Sequence, residues 1–414
     1  MPNLTFTTRG ALRKSTMRLA NESLALNTIR QNPGISRSDL ARITGMSPSS
    51  ITFIVYRLKR RKIVLEDKIV NHTRVGRRPT GLHLAEKARM AIAVEVSLHG
   101  CRVALIDLGG NLVVDRLVPW QPNAEILTQH LQAVIRSFLR QLKRDQVLGV
   151  AVGIPGTFDR ATGKIIAAEN LGWFNVEFGR LLSGKLPLPF YYENSSRLSA
   201  LAERWFQKAG RQSLQDFVFV APASGLGTGI VTNGHLLQGA SGIAGEFGHI
   251  VLYPDGLKCA CGNRGCLEQY ASDEALSRIY GEETGSGDQA HPDASAIARM
   301  ARAGDEAALR GLQRVSRDLA IGLCDLLWIF NPEAVILGGF YAEAWDLVEA
   351  TIREVLLSRA PHYLLAALRI CPSTHAADAC LLGAASLVFH HYLTRFDHAG
   401  ERGAAPPAQM QLIS

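Results

Sequence analysis

The tightest constraint in the chain is the run from His249 to Glu268, HIVLYPDGLKCACGNRGCLE. It sets a histidine and three of the chain's seven cysteines, Cys259, Cys261 and Cys266, in a single loop with C-x-C-x4-C spacing. Thiolate and imidazole donors suit a tetrahedral cation. Four of them fill its coordination, which is the closed arrangement of a structural Zn2+ site with no position left for a reacting water. Gly262 and Gly265 allow the loop to fold tightly round an ion. Disulfide pairing is the competing use of clustered cysteines, and it depends on the compartment. The N-terminus lacks the apolar core of a secretory signal, and no apolar run reaches the roughly 18 to 20 residues of a membrane span. A cytoplasmic protein with no membrane association follows, and reduced thiols there favour metal.

Charge divides the chain unevenly. The 414 residues carry a formal net charge of +8, yet residues 1–90 hold 18 Lys/Arg against 5 Asp/Glu and the remainder is net acidic. A basic head on a mildly acidic body is the electrostatic footprint of a nucleic-acid module joined to something else.

Within the head, NESLALNTIRQNPG reads as a helix stopped by Pro33 and Gly34. Ser36 then caps a short helix, with Asp39 completing a capping box, Leu40 and Ile43 turned inward and Gly45 ending it. Ser47 caps a third helix with Pro48 in its first turn and an apolar face of Ile51, Ile54, Val55 and Leu58. This is a helix-turn-helix. Its opposite face offers Ser49, Ser50, Thr52, Tyr56 and Arg57, of which Ser49, Ser50, Thr52 and Arg57 are the candidate DNA contacts. Two short strands, IVLEDKIV and TGLHLAE, flank NHTRVGRRP, a basic wing whose Arg77 and Arg78 suit a narrow minor groove. The partner is double-stranded DNA.

From about residue 88 the pattern alternates strands, helices and glycine turns: MAIAVEVS, CRVALIDLGG and LVVDRLVPW, then an amphipathic helix AEILTQHLQAVIRSFLRQL, then VLGVAVGIPGTFD. A second set opens at DFVFVAPASGLGTGIVTNGHLL. Two strand-rich halves imply an α/β fold with a cleft between lobes. The expected domains are the winged helix-turn-helix head at 1–87, a first lobe at 88–200 completed by a C-terminal helix at 377–395, a second lobe carrying the zinc loop at 201–376, and a flexible tail at 396–414.

GVAVGIPGTFD, YYENSSRLSALAER, GIVTNGHLLQGASGIAGEFGHI, the cysteine cluster ending in GCLE, and VILGG occur in the order and spacing of the ROK family, which unites bacterial sugar repressors with sugar kinases. The chain resembles that family over roughly residues 88–395, and the winged module ahead of it resembles the head of its repressors. The motif G-H-x9-C-x-C-G-x2-G-C-x-E is matched in full from Gly248 to Glu268. The resemblance implies a two-lobed, actin-like (RNase H-like) sugar-kinase fold, assembled as a homodimer or homotetramer. It also implies a sugar pocket built from Gly156, Asn194, Glu246, His249 and Glu268, with His249 serving metal and sugar together.

Three departures turn the expectation away from catalysis. Family kinases open with D-x-G-G-T to cradle phosphate, but the corresponding stretch here is EVSLH, with Glu95, Leu98 and His99 where the aspartate and glycines belong. Ser195 stands where those kinases place the aspartate that accepts the sugar proton, and an unactivated hydroxyl is a poor general base. Ala223 and Ser224 replace a Gly-Thr pair in the second phosphate turn. The expected protein is therefore no enzyme. It is a DNA-binding repressor of carbohydrate genes whose inactive kinase fold senses a sugar or sugar derivative. Two other readings stand beside it: a regulator controlled by a protein partner, and an active sugar kinase with a DNA-binding head.

Overall fold

The computed structural model describes residues 14–68, 80–143, 145–184, 186–206, 214–286 and 291–395. The chain divides into two compact units, the first of residues up to Arg89 together with the end of the last helix from Phe389, the second of Met90–Val388.

The first unit holds helices α1 (Lys14–Gln31), α2 (Arg37–Thr44) and α3 (Pro48–Arg60), then strands β1 (Val64–Lys68) and β2 (Thr80–Leu84). Helix α1 begins seven residues earlier than its capless sequence indicates. Ser36 caps α2 by accepting the Asp39 amide at 3.1 Å, and Ser47 caps α3 by accepting the Ser50 amide at 3.2 Å. Ile51, Ile54, Val55 and Leu58 are buried as their spacing requires. Ile43 is not: it is 52% exposed, against the inward orientation its sequence position indicates. Helix α2 buries Leu40 and Ala41 instead, and at 3.6 residues per turn Ile43 lies about 110° round from the middle of that pair. Strands β1 and β2 pair antiparallel with Lys68 opposite Thr80, and Leu82 bridges Ile35, which gives the small sheet of a winged helix. Residues 69–79 join the paired strand ends. The wing arginines Arg77 and Arg78 fall in that join, outside the described residues.

The second unit starts with β3 (Met90–Glu95), β4 (Cys101–Asp107), β5 (Leu112–Val118), α4 (Ala124–Gln141) and β6 (Val147–Ile154). A small three-stranded sheet follows, β7 (Thr157–Phe158), β8 (Ile165–Ala168) and β9 (Trp173–Val176), and then α5 (Phe178–Ser183), β10 (Phe190–Asn194) and α6 (Ser195–Trp205). Next come β11 (Phe217–Pro222), β12 (Leu226–Thr232), β13 (His235–Leu236), α7 (Glu268–Ala271), α8 (Asp273–Thr284), α9 (Ala294–Arg302) and α10 (Glu306–Phe330). The chain continues with β14 (Ala334–Leu337), α11 (Gly339–Glu343), α12 (Trp345–Arg359), α13 (His362–Leu365), β15 (Arg369–Pro372) and α14 (Ala379–Arg395).

The two large sheets repeat one topology. The first runs β10-β6-β3-β4-β5 and the second β15-β14-β11-β12-β13. In each, the opening strand pairs antiparallel with the next and parallel with the strand that returns after a helix. Helix α4 lays Leu127, Leu131, Ile135 and Phe138 on the first sheet, each such side chain contributing about 2 kcal/mol of apolar burial. Helix α10 does the same for the second sheet with Leu312, Val315, Leu319 and Leu323.

Helix α6 leaves the first sheet and packs on β11 and β12 of the second. Its backbone comes so close that a Cβ on Gly227 would strike Ser196 and one on Gly229 would strike Ala200, while Gly383 of α14 abuts the Leu198 carbonyl. Among the described residues no helix is long and apolar enough to cross a membrane.

Candidate effector cleft, metal cluster and nucleic-acid interface

In the second unit, Phe247–His249 forms a single 3-10 turn and α7 opens at Glu268, which brings the two ends of the cysteine loop together. The Cys259 Sγ and His249 Nδ1 lie 3.6 Å apart, the Cys261 and Cys266 sulfurs 3.7 Å apart, and the four ligand atoms all within 4.8 Å of one another. The tight turn relies on Gly265, at φ +71°, where a Cβ would overlap the Tyr253 carbonyl. Burial raises the Cys259 and Cys266 thiols above their ordinary range. The Cys259 thiol donates to Glu268 Oε1 at 2.8 Å. These soft donors are compatible with a metal site.

Glu268 is buried, and its Oε1 also lies 3.7 Å from His249 Nδ1. Glu246 completes a trio. Its residue surface is open, but cleft walls desolvate the carboxyl and raise it above the usual range, opposed by the charges of His249 and Arg197. Across the cleft stand Glu169, whose charge also raises Glu246, and Asn170, whose amide donates to Ser224 Oγ at 3.3 Å. Among the described residues no hydrogen bond joins Gly156 or Asn194 to the trio. Gly156, at φ +86°, packs its backbone on Ala167 and Ala168, which lead into Glu169. Asn194 caps α6: its Oδ1 accepts the Ser196 and Arg197 amides, leaving only its amide hydrogens for a ligand.

Arg197 replaces a surface role with a structural one. It is 3% exposed and donates to the carbonyls of Gly242 and Ala244, at 2.6 Å for the latter, in the loop that carries Glu246. Buried Glu193 holds it at 3.5 Å and pairs with Arg160 as well. Glu193 lies near the end of β10 and Arg197 in the first turn of α6, so the pair forms across a strand-to-helix junction that residue spacing alone does not mark.

Two positions that depart from the kinase pattern, Glu95 and Ser195, meet at one cysteine. Cys380, at the start of α14, hydrogen-bonds Glu95 and lies against Ser195, and a Cβ on Gly153 would sit 2.6 Å from its sulfur. Desolvation lifts the Glu95 carboxyl to about 7, against the pull of Arg102. Beside this plug a cleft of about 760 Å³ is lined by His99 and by Asp273, Glu274, Glu282 and Asp293. Burial, then the charge of Glu343, then those of Asp293 and Glu274, lift Asp273 to about 7.

In the first unit α3 presents Ser49, Ser50, Thr52, Phe53 and Tyr56 outward. Arg57 is committed elsewhere: its guanidinium lies 2.9 Å from the buried carboxylate of Glu22 on α1, which also holds Arg61 at 3.2 Å. Arg37 and Lys59 both clasp Glu66 on β1. Arg37, Thr52, Tyr56, Lys59 and Arg60 line a hollow of about 430 Å³ beside the outward face.

The ROK family model matches residues 91–391. The chain belongs to the ROK family. A winged helix-turn-helix DNA-binding model matches residues 21–64, so this ROK chain joins a winged head to the family's sugar-kinase-like body. The chain is 31% identical over 376 residues to the xylose repressor of Bacillus subtilis (strain 168), spanning 90% of this chain and 96% of that protein. The crystal structure of a ROK family transcriptional regulator, a homologue of the E. coli MLC protein, aligns with a TM-score of 0.74 at 25% identity, covering 91% of this chain and 97% of that one. A ROK family glucokinase from Streptomyces griseus, in complex with glucose and AMPPNP, aligns over 72% of this chain and 98% of its own at TM-score 0.63 and 27% identity. The kinase relative leaves the winged head unmatched, and the regulator does not.

Proposed function

We propose that this ROK protein is a cytoplasmic repressor of carbohydrate-utilisation genes. Its body binds a sugar or sugar derivative and does not transfer phosphate. The observation that carries the reading is the joining in one chain of a winged head with a body whose Glu246, His249 and Glu268 converge while the kinase positions are plugged by Glu95, Cys380 and Ser195. Sugar hydroxyls need acceptors and donors fixed on rigid turns, which the trio supplies. Glu274, Glu282 and Asp293 outnumber the single arginine, Arg278, in the lining of the cleft beside the plug, a balance that disfavours a polyphosphate.

The metal is Zn2+. At Zn–S of about 2.3 Å and Zn–N of about 2.0 Å, tetrahedral geometry sets sulfurs about 3.8 Å apart and a sulfur and nitrogen about 3.5 Å apart. The separations of 3.7 and 3.6 Å fit it. His249 would bind the ion through Nδ1, leaving Nε2 for a sugar hydroxyl. The ion's role is to hold Glu268 and His249 in register.

A homodimer or homotetramer presents two α3 helices to successive major grooves of a near-palindromic operator. The sugar releases DNA by favouring the incompetent arrangement, since a ligand shifts an equilibrium only through differential affinity. The head extends to about residue 87, the lobes meet near residue 200, and Arg77 and Arg78 serve the minor groove. The test uses a reporter strain carrying Glu268→Gln, with D-xylose as the first sugar of a monosaccharide panel. Repression should persist while the inducing concentration rises about tenfold or more, the worth of one charge-assisted hydrogen bond. A normal response would move the effector to another site and favour control by a protein partner.

A further inference from the structure

The exposed stripe of α3 runs through Ser49, Thr52, Phe53, Tyr56 and Arg60, one turn above another. Its two aromatics are large apolar groups left in water: Phe53 is 59% exposed and Tyr56 is 56%. Neither belongs to the core, because the opposite face of the helix, Ile51, Ile54, Val55 and Leu58, is already filled.

The polar neighbours have less reach than their chemistry promises. The Ser49 and Ser50 hydroxyls are hydrogen-bonded to Ser47, and the Thr52 hydroxyl donates to the Pro48 carbonyl at 2.9 Å. Arg57, the residue with the length and charge to grip a guanine edge, is tied to the buried Glu22 carboxylate beside Phe53. What remains at the centre of the stripe is an aromatic ring, flanked by cations. The Arg57 guanidinium stands 5.8 Å from the Phe53 ring and that of Arg60 stands 5.9 Å from the Tyr56 ring.

A protein partner would meet an apolar patch with a rim of mixed charge. Here cations dominate the rim: Arg37, Lys59 and Arg60 line the hollow beside Tyr56, Glu66, which pairs with the first two, is only 11% exposed, and residues 1–90 are strongly basic. That charge is complementary to a polyanion. On the floor of a major groove the apolar group a phenyl ring can address is the 5-methyl of thymine.

We propose that Phe53 is the specificity-determining residue of the head, packing on thymine methyl groups in the major groove of a double-stranded operator, with the Arg37–Lys59–Arg60 hollow seating the neighbouring phosphate. The proposal rests on the DNA-binding reading above. It commits the operator to a thymine near the centre of each half-site and makes discrimination there a matter of shape and apolar contact.

The experiment selects binding sites for the full chain from a randomised duplex library at fixed salt, then repeats the selection with Phe53→Ala and Phe53→Leu. The parent chain should enrich a site with an invariant thymine in each half. Replacing that thymine by deoxyuridine, which removes only the methyl, should weaken parental binding about fourfold per half-site, the worth of one buried methyl. Phe53→Ala should lose the preference and be indifferent to deoxyuridine, while Phe53→Leu should keep part of both. Because the side chain is mostly solvated, thermal unfolding of all three chains should coincide. Identical enriched sites for the parent and Phe53→Ala, or an equal deoxyuridine penalty in both, would overturn the assignment and leave DNA binding standing. Enrichment of nothing by the parent would overturn both.

Discussion

Two carboxylates in the head and two in the body are the same chemistry put to opposite use. In the head, Glu22 lies buried between Arg57 and Arg61, and Glu66 accepts from Arg37, Lys59 and Thr80, which hold its carboxyl down at about 2. Each negative charge there organises cations that would otherwise repel one another. In the body, Glu95 and Asp273 are lifted to about 7 by burial, Glu95 in spite of Arg102 and Asp273 with other carboxylates for neighbours. The head neutralises its acids with its own side chains. The body leaves its cleft rich in carboxylates, and its cysteine loop gathers four donors that could hold a metal ion. A module that must present positive charge in a fixed pattern gains from internal counter-charges, whereas a cleft that leaves a buried carboxylate unpaired raises its proton affinity.

The comparison breaks most visibly at the metal. The purified chain should hold about one zinc, and Cys261→Ser or prolonged chelation should lower the unfolding midpoint of the body by about 5 °C or more, leaving the head's unchanged. Metal analysis by mass spectrometry together with unit-resolved hydrogen exchange reads both effects, and a chain without metal and without change on chelation would end the zinc assignment.

Next in size is Glu22→Gln, which leaves Arg57 and Arg61 buried beside a neutral amide. It should cost the head about 3 kcal/mol, seen as faster exchange of α1 and α3 amides with the body untouched. A loss under about 0.5 kcal/mol would mean that the pairs behave as surface ion pairs do.

The smallest effect is the pH profile. Glu66, depressed in the folded state, lends stability that is present above pH of about 4.5 and drains as pH falls toward 2. Glu95 and Asp273, raised in the folded state, hold their protons longer than in the unfolded chain. Their contribution is complete below pH of about 4 and is lost as pH rises to 7. Between pH 5 and 8 the body should therefore lose stability while the head stays level, and Glu95→Gln should flatten the body's curve in part. Parallel curves for the two units would contradict the assignment.

Local chemistry made much of this legible in advance. The serine caps, the buried face of α3 and the strands β3 to β6 follow from residues within one or two turns of each other, where periodicity and capping act. The metal cluster was legible because all four donors sit within 18 positions of one another. What escaped the sequence depends on distance along the chain. Arg57 looks outward on a helical wheel, and its capture by Glu22 comes from a helix 35 positions back. Phe53 is no part of the DNA-contact set read from the sequence, because nothing in residue type alone tells an exposed aromatic from a core one; only the filled opposite face of α3 does. Asn194 reads as a ligand and serves as a cap, and Cys380 reaches Glu95 across 285 positions. The repetition of one strand order in both sheets has no trace in residue identity, because topology is a property of pairings and not of composition.

The glycine contacts around α6 carry one more consequence. With Gly227 and Gly229 on one side and Gly383 on the other, bare backbone closes on α6 at Ser196, Ala200 and the Leu198 carbonyl, with no larger side chain between. Such a junction behaves as a bearing: it resists sliding, since there is no soft layer to shear, and it yields only by turning. A small rotation at that axle would be multiplied by the lever arm to the loop that carries Glu246. Filling any of these glycines with a methyl would wedge the axle and fix its angle, converting a moving part into a strut.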